Sequence, residues 1–479
     1  MVKYIVRVFK WRLFILTALT KNMIVISFDC LSALDFPLIH TLPNFRRVFQ
    51  QGSFSRNVET IYPSVTYPCH ATIVTGNYPN RHGVINNTLL QPGWASPDWN
   101  WFRSAIKGTT LYDEAYKARL TTAALLWPVT GRAKSIQYNL PEIFPNRPWQ
   151  NQILVSLMSG TPSYQWELNK RFGHIRNGLN QPELDDFVLE STVHTIITKQ
   201  PNLLLVHFTD LDTMRHNYGV FSNEATEALH RHDKRLGRIL DALEKSGRDG
   251  ETTIVILGDH SALDENKAVH LNMIFREKNL ISVNSKGKIT DWKAYCNGCD
   301  GSAYIYLKND NDYQTKETVK KILDELLADP SNGIERILTG EEAGIKGADS
   351  TCAFMVEALR GFYFLESHEG DYIKPVTQKN VWENNKYMLA CHGYSPDKQD
   401  YSTFFLAAGK GILKNVEVPF MRLIDIGPTL ARLLGVDLGQ TDGQEIKQFL
   451  NLRDVYPAPA PSPSRSQANP PRKVKNTFP

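Results

Sequence analysis

Short uncharged runs rich in apolar residues recur along the chain at 23–28 (MIVISF), 121–127 (TTAALLW), 203–208 (LLLVHF), 252–257 (TTIVIL) and 402–407 (STFFLA). They lack the strict alternation of a half-exposed strand, which predicts parallel strands covered on both faces. Helical periodicity fills the intervals. Residues 223–246 place Ala225, Leu229, Leu236, Ile239, Leu240 and Leu243 at three- and four-residue spacings and stop before Gly247. A second helix is predicted over 425–434 (DIGPTLARLL), with Pro428 near its start and Gly435 after its end. Strands alternating with helices predict a doubly wound, mostly parallel α/β domain. The stretch 265–385 is richer in Lys, Asn and Asp, with strand-like segments at 303–307 and 361–366 around a helical 315–327. It reads as an α+β insertion that caps the core's site. The expected division is therefore a leader at 1–22, core at 23–264 and 386–456, the insertion at 265–385, and a tail at 457–479.

Charge sharpens this division. The 479 residues carry a formal charge of +4, yet residues 1–22 and 457–479 hold cations and no acid. Lys3, Arg7, Lys10, Arg12 and Lys21 lie at one end, and Arg465, Arg472, Lys473 and Lys475 at the other. The body between them is acidic, so no nucleic-acid-binding surface is expected. The N-terminal segment is cationic and apolar but too short in its uncharged run to cross a bilayer, and no small-residue cleavage site follows. A dispensable leader, a membrane-surface attachment and a secretion signal remain open for it. No transmembrane segment is expected. The proline-rich tail has little to bury and is expected to be disordered. Six cysteines in a chain this long do not make a disulfide scaffold, and Cys296-x-x-Cys299 has no second pair with which to form a zinc ribbon. Thiols next to a metal site suit a reducing compartment, so the expected location is the cytoplasm.

The chemistry gathers at the carboxyl ends of the expected strands, where ligands bind in open α/β sheets. MIVISF ends in Asp29, LLLVHFTDL leads to Asp212 with His216 four residues on, and TTIVILG leads to Asp259-His260. His392 adds a third imidazole just before STFFLA. A single Asp after a strand is most often a cap or turn residue. Carboxylates and imidazoles at three strand ends are a ligand set for zinc or a similar ion, and three of each exceed what one catalytic ion needs. Two ions about 3.5–4 Å apart form the clamp used in phosphoryl transfer. The attacking group is then a water or a hydroxyl. Thr66, bracketed by Pro63 and Pro68 ahead of the apolar ATIVTG, is such a hydroxyl, although on spacing alone it is also an ordinary turn residue.

The segment TYPCHATIVTGNYPNRHGVINN, together with FD at 28–29, D-x-x-x-H at 212–216, DH at 259–260, HGY at 392–394 and the DIGPTLARLLG helix, resembles the nucleotide pyrophosphatase/phosphodiesterase family of the alkaline phosphatase superfamily. The resemblance spans roughly residues 23–450 and implies an alkaline phosphatase-like fold. It also implies a small-molecule phosphodiester or pyrophosphate as substrate. Thr66 matches the nucleophile that becomes phosphorylated. Asp29, Asp259 and His260, with Thr66, match the ligands of one Zn²⁺, and Asp212, His216 and His392 those of a second; other divalent ions could take their place. Asn87 matches the asparagine that binds a phosphoryl oxygen. The chain departs from better-known members in carrying Arg215 in place of a glycine and GDHS at 258–261, which puts the nucleotide preference in doubt.

Alternatives on the same scaffold are a phosphomonoesterase, a phosphonoacetate-type hydrolase and a zinc-binding pseudoenzyme. A sulfatase is excluded, because Cys69 is followed by HAT and not by x-P-x-R. Other residues get blander readings. His230 and His232, two residues apart and so on different sides of an exposed helix, are expected to be solvated surface and not ligands, and His82 is expected to order the loop that presents Asn87. His70 is either a support for Thr66 or a packed histidine, and His270 is structural. Trp94, Trp99, Trp101 and Phe102 form core more readily than a stacking wall.

Overall fold

The computed structural model describes residues 17–453. Residues 1–16 and 454–479, most of the expected leader and all of the expected tail, lie outside them. The end of the leader segment is part of the body: Leu19 is buried and its N–H donates to the carbonyl of Leu433 (2.8 Å).

Six strands define the centre of the molecule: β1 (Asn22–Phe28), β2 (Gly52–Glu59), β3 (Thr122–Leu125), β4 (Tyr138–Leu140), β5 (Leu203–Phe208) and β6 (Thr252–Leu257). They lie in one nine-stranded sheet that runs Val416–Glu417, β2, Thr403–Gly409, β6, β1, β5, β3, β4, with Met421–Arg422 also on β2. From β6 through β1, β5 and β3 to β4 every pairing is parallel. Alternate residues of β1 explain why its sequence does not alternate in polarity. Met23 and Val25 pack with Ile73 and Leu430 on one face, and Ile24, Ile26 and Phe28 pack with Leu229 and Leu236 on the other. Burying both faces demands apolar residues at both parities.

Two expectations need correction. The run at 402–407 is a strand but not a parallel one, since Thr403–Gly409 is antiparallel to both β6 and β2. The chain reaches it from the His392 side, at the carboxyl ends of the parallel strands, and must run back down the sheet. An apolar run covered on both faces carries no mark of direction. His232 is likewise not solvated. It is buried, its ring 4.3 Å from that of Phe28. Position 232 is seven residues after Ala225 and three after Leu229, on the stripe by which helix Asn223–Lys245 packs against the sheet.

Among the described residues the segment after β6 builds three smaller sheets, one of them only the antiparallel pair Ile281–Val283 and Ile289–Trp292. Another is an antiparallel four-strand sheet in the order Ala294–Cys299, Ser302–Leu307, Phe354–Ala358, Ile334–Thr339. The third has Leu263–Val269 flanked by Gly361–Phe364 and Ile373–Pro375, with Ala390–Cys391 also paired to it. Cys296 and Cys299, an odd spacing on one strand, point to opposite faces and enter different clusters. All six cysteines are free and buried. Among the described residues no helix is long and apolar enough to cross a membrane.

Candidate active site

Asp29 follows β1, Asp259 lies two residues beyond β6, and helix Asp210–Tyr218, directly after β5, carries Asp212 and His216 on successive turns. The sheet register therefore brings the three acids to one end. Helix Thr66–Thr75 is buried along its whole length, and Thr66 is its first residue, after an extended Val65. Backbone N–H groups of a helix's first turn have no partner within the helix.

Among the described residues two donor groups consist of Asp and His alone, and Cys30 forms a third with Asp212 and His260. In the first, His260 Nε2 lies 3.3 Å from Asp29 Oδ1, 3.2 Å from Asp259 Oδ2 and 3.3 Å from Thr66 Oγ1. In the second, His216 Nε2 lies 3.1 Å from Asp212 Oδ2, and His392 Nε2 lies 3.9 Å from Asp212 Oδ1. Within each group of three Asp and His side chains the donor atoms lie within 4.8 Å of one another. The groups adjoin, because the rings of His260 and His392 stack with centroids 3.9 Å apart. Asp29 Oδ1, Asp259 Oδ2 and Asp212 Oδ1 are buried with no hydrogen-bond donor. Orphaned buried carboxylate oxygens are costly unless a cation meets them. The donor set fits divalent ions: burial, reinforced by neighbouring carboxylates, pushes the Asp29 and Asp259 carboxyls above their usual range. Burial opposes charge on His216 as well, yet the Asp212 carboxylate raises it to about 9. A cation would replace these protons.

The supports are specific. His216 Nδ1 lies 2.7 Å from the carbonyl of Ala390, which presents Nε2 to the site. His70 sits under the helix start, with Nδ1 2.8 Å from the Thr66 carbonyl and Nε2 3.0 Å from Ser27 Oγ. Burial holds its pKa well below the usual value, so it is neutral. Asn87 Oδ1 accepts from the N–H of Tyr67 (2.8 Å), which fixes the amide plane. His82 joins Thr72 Oγ1 to the N–H of Val84 and orders the loop ahead of Asn87. Arg215 is buried and does not line the cleft. Its guanidinium pairs with Asp35 Oδ1 at 2.5 Å and reaches the carbonyl of Cys30, tying the Asp212 helix to the Asp29 loop. Asp35→Ala strands a buried guanidinium and is expected to lower stability by about 3–5 kcal/mol, read as a shift in the urea midpoint.

All of this opens into one cleft of about 1160 Å³. Thr66, Asn87, Asp29, Asp212, His216 and His392 line it, with Trp94, Trp99, Phe144 and Tyr295 on its walls. The tryptophan cluster thus divides, Trp101 entering the core. His270 also lines the cleft, its Nδ1 2.7 Å from the Asp371 carbonyl. Three residues at the site escaped the sequence reading: His207 and Glu142, which meet behind Asp29, and Asp300, whose Oδ2 lies 3.6 Å from His392 Nδ1. A histidine inside LLLVHF was the available signal for the first. Glu142 follows a three-residue strand too short to read as one.

The parallel sheet with its acid-bearing carboxyl ends defines an alkaline phosphatase-like fold. The chain belongs to the type I phosphodiesterase/nucleotide pyrophosphatase family, whose sequence pattern matches residues 23–395. It is 24% identical over 257 residues to ectonucleotide pyrophosphatase/phosphodiesterase family member 1 of Mus musculus, covering 50% of this chain and 24% of that protein. It is 26% identical over 230 residues to venom phosphodiesterase 2 of Crotalus adamanteus, covering 46% of this chain and 24% of the relative. The match therefore spans about a quarter of these relatives. In structure it is similar to murine ectonucleotide pyrophosphatase/phosphodiesterase 5, solved in an inactive form in complex with AMP (TM-score 0.61, 17% identity, 90% of this chain and 100% of that one). The human form of that protein gives a TM-score of 0.61 at 19% identity, with 90% and 100% covered.

Proposed function

We propose that the protein is a metal-dependent hydrolase of phosphodiester or pyrophosphate bonds in small nucleotide-type molecules, working through a phosphothreonine at Thr66. One observation carries the reading: a hydroxyl at a helix start stands at the junction of two carboxylate–imidazole groups whose buried oxygens lack partners. Asp29, Asp259, His260 and Thr66 would hold one cation, and Asp212, His216 and His392 the other. Divalent cations held there, two Zn²⁺ in this reading, supply Lewis acidity that favours the alkoxide of an adjacent hydroxyl and offsets charge on phosphoryl and leaving oxygens.

The chain's own groups do the rest. Thr66 Oγ attacks phosphorus, and the bond to the leaving alcohol or nucleotide breaks. Water then cleaves the phosphothreonine and restores the hydroxyl. The Asn87 amide nitrogen and the Thr66 backbone N–H are placed to donate to the equatorial oxygens as charge grows on them. The aromatic walls of the cleft suit a base, and the similar murine protein was solved in complex with AMP, a nucleotide.

Rates on a p-nitrophenyl phosphodiester and the matching monoester, with and without chelator, test the proposal. A faster diester reaction that stops with chelator and returns with zinc is expected. A monoester preference would transfer the site to the phosphatase reading, and activity indifferent to chelation would end the metal assignment.

A further inference from the structure

His207 has no place in the chemistry above, yet both of its ring nitrogens are engaged beside it. It lies near the end of β5, fully buried, beside Ser27 of β1. Nε2 is 3.0 Å from Asp29 Oδ2. On the opposite side of the ring Nδ1 lies 3.1 Å from Glu142 Oε2 and 3.2 Å from the carbonyl of Leu126. Glu142 is anchored in turn, its Oε1 accepting from the Tyr67 hydroxyl at 3.2 Å. The His70 ring packs edge-on against it, centroids 4.4 Å apart. Every neighbour of the two ring nitrogens is an oxygen acceptor, so the ring is held from both ends and cannot swing.

The consequence falls on Asp29. A carboxylate turns freely about its Cβ–Cγ bond unless something fixes its plane. With Oδ2 engaged by His207, only Oδ1 remains to face His260 and Asp259, and that oxygen is the one without a donor. Asp259 Oδ2 is bare on the same side, and two buried carboxylates repel. Without the bond to His207, Asp29 would be free to rotate away from its neighbour. Hydrogen-bond partners behind a ligating carboxylate or histidine orient it and contribute about 10- to 100-fold to metal affinity.

We propose that His207 is a positioning residue, which, braced by Glu142, locks the Asp29 carboxylate with Oδ1 facing the cation that Asp29, Asp259 and His260 share. The proposal rests on the metal reading of the site given above. The test is zinc affinity of the full chain, measured by competition with a chromophoric chelator, for His207→Phe and His207→Gln. The phenyl ring keeps most of the volume and loses both hydrogen bonds, whereas the glutamine amide can still donate to Asp29. Expected is a loss of about 10- to 100-fold in the affinity of one of two zinc ions in His207→Phe, largely restored in His207→Gln. A folded His207→Phe protein that binds both ions as the wild type does would overturn the proposal, as would a glutamine variant as weak as the phenylalanine one. Should His207→Phe not fold, Glu142→Gln decides. Weakening the brace from the cleft side should lower the affinity of one zinc several-fold, and unchanged binding would overturn the proposal. If the wild type binds no zinc at all, the reading of the site fails first, which distinguishes the two.

Discussion

Thr66→Ala is expected to abolish hydrolysis of a phosphodiester, by about 10³-fold or more, while the protein still takes up its metal ions. The two halves of this expectation have separate causes. The hydroxyl stands 3.3 Å from His260 Nε2 at the first residue of a buried helix, where the proposed mechanism needs its nucleophile. The carboxylates and imidazoles come from other strand ends and do not depend on it. Thr66→Ser should keep a substantial part of the rate, since it retains the oxygen. Steady-state kinetics on a chromogenic diester, with zinc content determined on the same samples, checks both halves. Near-normal turnover in the alanine variant would show that water attacks directly, and the phosphothreonine step would have to be abandoned.

Asp259→Asn should have opposite effects on two properties. Metal-loaded activity is expected to fall by about 10³-fold, since the ion loses an anionic ligand that helps offset transition-state charge. On the two-zinc reading proposed above, zinc content should drop from two per chain towards one. The chelator-treated protein, in contrast, should become more stable than the chelator-treated wild type at neutral pH. Burial and the nearby Asp29 push the Asp259 carboxyl well above its usual range, so the fold favours its neutral form. The folded state binds this proton more tightly than the unfolded chain does. The associated stability is thus present below about pH 4, where an unfolded Asp titrates, and is lost as pH rises above it. Asparagine has no proton to lose. Urea midpoints of the two metal-free proteins between pH 4 and pH 8 give the comparison. Parallel curves would mean that Asp259 feels no such penalty.

Much of this site was legible because it follows from local pattern. A buried parallel strand is an apolar run, its carboxyl end is where ligands gather, and the acids and histidines there stand beside such runs in sequence. The structure brings together the seven proposed ligand residues, Thr66 among them, and Asn87 at one end of the sheet. What could not be read depends on tertiary placement. The direction of Thr403–Gly409 is set by where the chain re-enters the sheet. The burial of His232 was in the helical stripe all along, and polarity was given more weight there than position. Glu142 and His207 meet only because β4 and β5 end at the same level on either side of β3, and neither sequence neighbourhood names the other. Arg215, whose place near the site put the nucleotide preference in doubt, turns inward to Asp35.

The antiparallel Thr403–Gly409 strand carries a consequence for biosynthesis. It occupies the slot between β2 and β6, and its first residue, Thr403, lies 345 positions along the chain from its partner in β2, Val58. While the ribosome is still making the segment before it, β2 and β6 each present an unsatisfied row of backbone N–H and C=O groups, the kind of edge that templates aggregation. The emerging polypeptide must therefore keep two sticky margins apart until nearly the whole described sequence has been translated. That delay leaves both margins open for longer than pairing between strands adjacent in sequence would.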